Sequence, residues 1–294
     1  MAVRMAAVAG QFYESSPPKC LAHIEQMLSA RSLPPNLPST IVAGIVPHAG
    51  WVFSGDLAGM VFAAIKQIQP VDTFVIFGAV HAVRTRLGIL YDVGQWGTPL
   101  GTIDVDEPLA AAILDEGSDL IQADTSAHSR EHSIEVQVPF IQHLFPEAKI
   151  VPLLVPPITA APQIGRTVAS IIQQQSDKNI VCIASTDLTH YGPSYGFTPM
   201  GTGREGINWA REKNDQFFID QALTMQFDKI VESAQLYGNA CGPGATAAAV
   251  AVALKLGCEQ GILLAHTTSA QIMEEKFQQK NYDSVGYAAI IYGT

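Results

Sequence analysis

The sequence predicts an α/β fold: a single domain over residues 1–294 with a mainly parallel or mixed central sheet covered by helices on both faces. Three observations predict it. Short apolar runs bounded by turn residues recur along the chain, segments of helical length lie between them, and no fixed-period repeat or low-complexity tract breaks the alternation. Parallel neighbours in a sheet need crossover connections, which helices supply.

The expected strands are residues 41–46, 73–77, 150–155, 180–184, 262–265 and 285–292, apolar enough to be buried on both faces. The expected helices are residues 57–68, 108–116, 131–145, 164–174, 206–225 and 244–256. The Pro-rich stretch at 33–38 follows a segment with no core of its own, so it reads as a surface connection and not a domain boundary. Residues 191–206, rich in Gly and Pro, form the strongest loop candidate.

Composition narrows the function classes. With 48% hydrophobic and 15% charged residues, the chain has enough apolar surface to build a core and does not read as disordered. A formal charge of −10 removes the electrostatic basis for nonspecific binding to nucleic acid or an anionic membrane surface. No apolar stretch approaches the roughly 20 residues needed to span a bilayer. The Ala-rich run at 245–256 is broken by Lys255 and Gly257. Four cysteines (20, 182, 241 and 258) lie far apart without a CxxC pair, and no leader-like segment opens the chain, so a reducing cytoplasm is the expected location.

Ligand sites in open α/β sheets lie beyond the carboxyl ends of strands, so polar residues that follow apolar runs come first. His48 follows the run at 41–46 and His81 the run at 73–77, which would set both imidazoles on one rim. The run at 180–184 leads into Asp187 and His190, an acid and a base that can act as an oriented proton-transfer pair. His132 and Glu135 would share one face of the helix expected at 131–145. Acidic residues in a first helical turn are favoured by the dipole alone, which gives Glu131 and Glu135 a purely structural reading.

Cys241 precedes the small-residue helix expected from Gly244, whose N-terminus would favour a thiolate. That thiolate can ligate a metal or act as a nucleophile, whereas Cys20, Cys182 and Cys258 read as inert. Two imidazoles with one thiolate suit zinc, copper or iron. His23, His128, His143 and His266 carry no spacing argument and read as ordinary residues.

Six stretches in order resemble the Memo family, also called AmmeMemoRadiSam system protein B: residues 9–13 (Ala-Gly-Gln-Phe-Tyr), Pro47 to Gly50, Glu131 to Glu135, Asp187 to Tyr191, Cys241-Gly242 and Val285 to Ala288. The resemblance covers nearly the whole chain. It implies the fold of class III non-haem iron extradiol dioxygenases, a metal site of His48, His81 and Cys241, and a pocket shared by His190 and Asp187. In those dioxygenases a carboxylate stands where this pattern has cysteine, so ring cleavage does not transfer with the fold. Two local departures are Trp51 in place of the usual tyrosine and the apolar loop Gly78-Ala79-Val80 before His81, which is usually more polar.

The leading expectation is metal-dependent redox chemistry in a dioxygenase-like cleft, with iron or copper as cofactor. His190, Asp187 and His132 are the catalytic candidates, and Trp51, Glu135 and Tyr191 the substrate-binding ones. Alternatives are a zinc hydrolase on the same ligands, a Cys241 nucleophile with His190 as base, and a non-enzymatic adaptor that takes a phosphorylated peptide in the cleft. The ligand is expected to be a small molecule or peptide, and the family name implies a radical-SAM pathway partner.

Overall fold

Runs of β-branched and aromatic residues form the middle of the sheet because only buried strands can hide both of their faces. In the computed structural model, which describes residues 2–294, the chain begins with β1 (Val3–Arg4), α1 (Pro17–Ser29), β2 (Ile41–Val46), α2 (Trp51–Ile68) and β3 (Thr73–Gly78). It continues through β4 (Gly88–Leu90), β5 (Gln95–Thr98), β6 (Gly101–Asp104), α3 (Glu107–Glu116), β7 (Ile121–Ala123), α4 (Val138–Leu144), β8 (Lys149–Leu154), α5 (Ala161–Gln174) and β9 (Ile180–Ser185). The last third comprises β10 (His190–Tyr191), α6 (Arg204–Trp209), α7 (Gln216–Leu223), α8 (Phe227–Tyr237), α9 (Pro243–Lys255), β11 (Gly261–Thr268), α10 (Ser269–Phe277) and β12 (Ser284–Gly293).

The main sheet runs β10-β12-β2-β9-β3-β8-β4-β7, with β11 also paired to β12. Its centre, β2-β9-β3-β8, is parallel. Antiparallel pairing enters on one side through β12 and on the other through β4, so the sheet is mixed. A small second sheet, β1-β5-β6, lies outside it. Helix α2 covers β2 and β12, with α1 and α4 against it, while α9 covers β2, β9 and β3 beneath α5 and α8. The α5–α9 contact is close enough that a Cβ on Gly165 would meet the Ala248 carbonyl, so glycine sets that approach.

All six expected strands and all six expected helical regions contain elements of the expected kind, and two regions depart instructively. Residues 131–145 are helical only from a 3₁₀ turn at Glu135–Gln137 into α4, because Glu131 and Ser133 spend their side chains on the loop that carries His81. Residues 206–225 split into α6, a wide i+5 turn at Ala210–Asp215, and α7. The helices α1, α8 and α10 and the strands β1, β4 to β7 and β10 were not expected. The strands run only two to four residues, too short to show a period. Among the described residues, no helix is long and apolar enough to cross a membrane.

Candidate metal centre

Because β2, β9 and β3 are adjacent and parallel, the segments that leave their carboxyl ends lie side by side on one rim. Those segments carry His48, Asp187 and His81. Cys241 enters from the turn before α9, where its N–H donates to the Asp187 carbonyl (3.2 Å) and the Gly242 N–H to Thr186 Oγ1 (2.9 Å). A Cβ at position 242 would strike the Ser185 carbonyl, so glycine lets this turn reach the rim. The donor atoms of His48, His81 and Cys241 all lie within 4.8 Å of one another, and His48 Nε2 is 3.1 Å from Cys241 Sγ.

The hydrogen bonds behind these rings fix which nitrogen is free. The Ser185 hydroxyl donates to the Ser133 carbonyl (2.7 Å), so toward His48 Nδ1, 3.0 Å away, its oxygen can only accept. His48 therefore carries its proton on Nδ1 and turns the Nε2 lone pair toward Cys241. His81 Nδ1 likewise donates to Glu131 Oε1 (3.0 Å), and the same carboxylate accepts the backbone N–H groups of His81 and Ser133, each at 2.9 Å. That leaves His81 Nε2 as its outward atom. His190 Nδ1 donates to the Leu188 carbonyl (3.1 Å), so its Nε2 is also unengaged.

Electrostatics follow from burial. Burial, reinforced by the neighbouring histidines, holds His48 well below the usual imidazole range and therefore neutral. Burial also lowers His190 and His132. At His81 the Glu131 hydrogen bond and charge outweigh burial and raise the pKa, and the same pairing holds Glu131 well below the carboxylate range against its own burial. Asp187 is pushed up to about 7 by burial, although the His48 and Ala49 N–H groups pull it down.

A cavity of about 420 Å³ opens in front of these groups, with His48, His81, His132, Asp187 and His190 on its wall. His132 stacks on His81, ring centroids 4.8 Å apart, and packs against Phe12 at the same distance. The structure thus brings together six of the nine sequence-derived site residues. It does not bring Trp51, Glu135 or Tyr191 to the wall. The Trp51 indole is buried in the core and donates to the Val136 carbonyl (3.0 Å), because it opens α2 on its inner side. Glu135 is buried in an ion pair with Arg4 (2.6 Å) and accepts from Tyr13 and the Ala7 and Val8 N–H groups. Tyr191 is buried too, its hydroxyl donating to the Gly201 carbonyl (2.6 Å).

Two expected roles are also corrected. Asp187 does not orient His190: its Oδ1 accepts the His48 N–H (2.7 Å), and the Leu188 carbonyl orients His190. The strand-end turn instead leans on Asp215, which accepts the Thr189 N–H (2.9 Å) and pairs with His266 (3.1 Å). At Cys241, burial and the nearby Asp187 carboxylate push the thiol up, opposite to the lowering expected from the start of α9. Sequence reading missed Glu131, Ser185 and Gln137 as supports and Phe53, Tyr195, Asp283 and Tyr287 as wall residues. Only Glu131, next to His132, carried a local signal.

A family model described as Memo-like protein matches residues 4–291. A MEMO1 family protein of Pyrococcus horikoshii is 37% identical over 299 residues, covering 98% of each chain. Another, of Thermococcus onnurineus, is 35% identical over 300 residues, covering 99% of each. The crystal structure of an uncharacterized protein from Escherichia coli K12 shares the fold, with a TM-score of 0.50 at 14% identity over 86% of this chain and 100% of that one.

Proposed function

This chain belongs to the Memo family, and we propose that it binds iron or copper through His48 Nε2, His81 Nε2 and Cys241 Sγ and performs redox chemistry on a small molecule in the adjoining cavity. One observation carries the reading: both imidazoles have Nδ1 anchored to a buried acceptor, and both therefore offer Nε2 beside a thiol. That is the kind of outer support found behind metal-bound histidines. Two nitrogen donors and one sulfur suit iron, copper or zinc, and an N/N/S set leaves coordination positions for substrate. When bound, the metal supplies electron transfer and a positive charge that lowers the pKa of Cys241 and of any ligand it polarises.

The chain's own groups supply the rest. His190, neutral and with Nε2 unengaged on the cavity wall, accepts a proton from a bound substrate. Asp187, with a pKa of about 7, can hold or release one near neutrality while it fixes the His48 backbone. His132 and Phe12 present two mutually tilted rings on the cavity wall against which an apolar group can pack. A metal-free Cys241 nucleophile is disfavoured because the thiol is held protonated. Phosphate capture inside this cavity is disfavoured because no Lys or Arg is among its described wall residues, which include Asp187 and Asp283.

The test is anaerobic purification without a metal-binding tag, followed by elemental mass spectrometry of wild type, His48→Ala and Cys241→Ser. Near-stoichiometric iron or copper in wild type, lost in both variants, is the expected result. Zinc alone would move the reading to hydrolysis, and equal metal content in all three proteins would remove the assignment.

A further inference from the structure

A second chamber lies next to the metal cavity and takes no part in the chemistry above. It encloses about 500 Å³ between α6 with its wide turn, α10, and the loop that leads into β12. Arg204 of α6 and Arg211 of the wide turn line it, as does Lys280 of the loop. Glu274 and Glu275 of α10 also line it, yet none of the three cations forms an ion pair among the described residues. Three cations against two carboxylates leave this concavity locally positive on a chain of net charge −10. Asn281 lines this chamber and the metal cavity alike, so the two share a wall.

We propose that this outer chamber is an anion-binding site for the carboxylate or phosphate group of a small molecule. Two guanidinium groups present planar forks that match either oxyanion, and Lys280 adds a mobile point charge that can close over it. The two glutamates set a limit: they disfavour a bulky polyanion and leave room for a single anionic group. The site does not depend on the metal centre, whose cavity wall carries carboxylates and histidines instead.

The experiment is calorimetric titration at low salt with inorganic phosphate and, separately, with succinate. The proteins are wild type, Arg204→Gln/Arg211→Gln, Lys280→Gln and Cys241→Ser. Saturable binding by wild type and Cys241→Ser, weakened about tenfold or more in the double variant, supports the site. Binding of phosphate alone, or of succinate alone, assigns the oxyanion. Lys280→Gln, on an exposed loop, tests the site independently if the double variant melts early, and it should weaken binding in the same direction. Absence of saturable binding of both anions, or affinity unchanged in the arginine and lysine variants, overturns the proposal. Loss of binding in Cys241→Ser also overturns it, by placing the anion at the metal centre. Metal content measured on the same samples reports separately on the reading of that centre.

Discussion

Glu131 shows how much a single side chain decides here. It is buried, accepts two hydrogen bonds from His81 and one from the Ser133 N–H, and sets the His81 tautomer. Glu131→Gln should leave the fold intact and weaken metal affinity by about 10–100-fold, the usual cost of a lost outer support, measured by competition with a chelator. Unchanged affinity would mean that His81 is oriented some other way. His190 makes a different prediction. Burial lowers its pKa, so its NMR titration midpoint should fall below that of an ordinary histidine, while His190→Ala should retain metal and lose any proton-dependent turnover. Metal loss in that variant would make His190 a ligand. Sequence reading found His48, His81, Asp187 and His190 because each follows a strand end, a position visible in one dimension. It could not find Ser185 or Gln137, which matter only through contacts with segments 48 to 137 residues away.

Elements hold this site through close backbone approach as much as through apolar burial. The clearest case is α5 against α9, where Gly165 sits under the Ala248 carbonyl. Gly165→Ala should push the helices apart and cost about 1–3 kcal/mol in urea unfolding, with metal content unchanged because the contact falls on the middle of α9 and the turn carrying Cys241 is tied separately to Thr186 and Asp187. The wide turn at Ala210–Asp215 works similarly on the other flank. It aims Asp215 at the Thr189 N–H beside His190, and Gly286 of β12 leaves room for that carboxylate, which a Cβ there would strike. The pattern of residues 206–225 predicts a helix but not this widened turn, because a six-residue segment is too short to set a period of its own.

For the molecule as a whole, acid stability depends on several buried groups of opposite sign. His128 is fully buried, donates Nε2–H to the Ile89 carbonyl (3.1 Å), and has its pKa lowered to about 4 by burial. An unfolded histidine titrates near 6.5, so the unfolded state takes up the proton first, and stability falls as pH drops from about 6.5 to about 4. The contribution is about 3 kcal/mol, and His48 acts in the same direction. Asp187, raised to about 7, acts in the opposite sense because the folded state holds its proton over that range. Urea midpoints for wild type and His128→Gln at pH 7 and pH 5 separate these effects: the variant should lose less stability on acidification. An equal loss in both would remove His128 as the cause.

The sequence alone determined the α/β class, the approximate place of the long central strands and of six helical regions, and the candidates whose position at a strand end is a local property. Periodicity, turn residues and strand-end chemistry are all written over a few consecutive residues. Tertiary structure decided the rest: that β2, β9 and β3 are adjacent and parallel, that Cys241 reaches His48 from 193 positions away, and that Glu131 and not Glu135 serves the site. It also withdrew Trp51, Glu135 and Tyr191 into the core. Which partner a polar side chain finds depends on strand order and on helix packing distance, and both are settled only when distant segments are buried against one another.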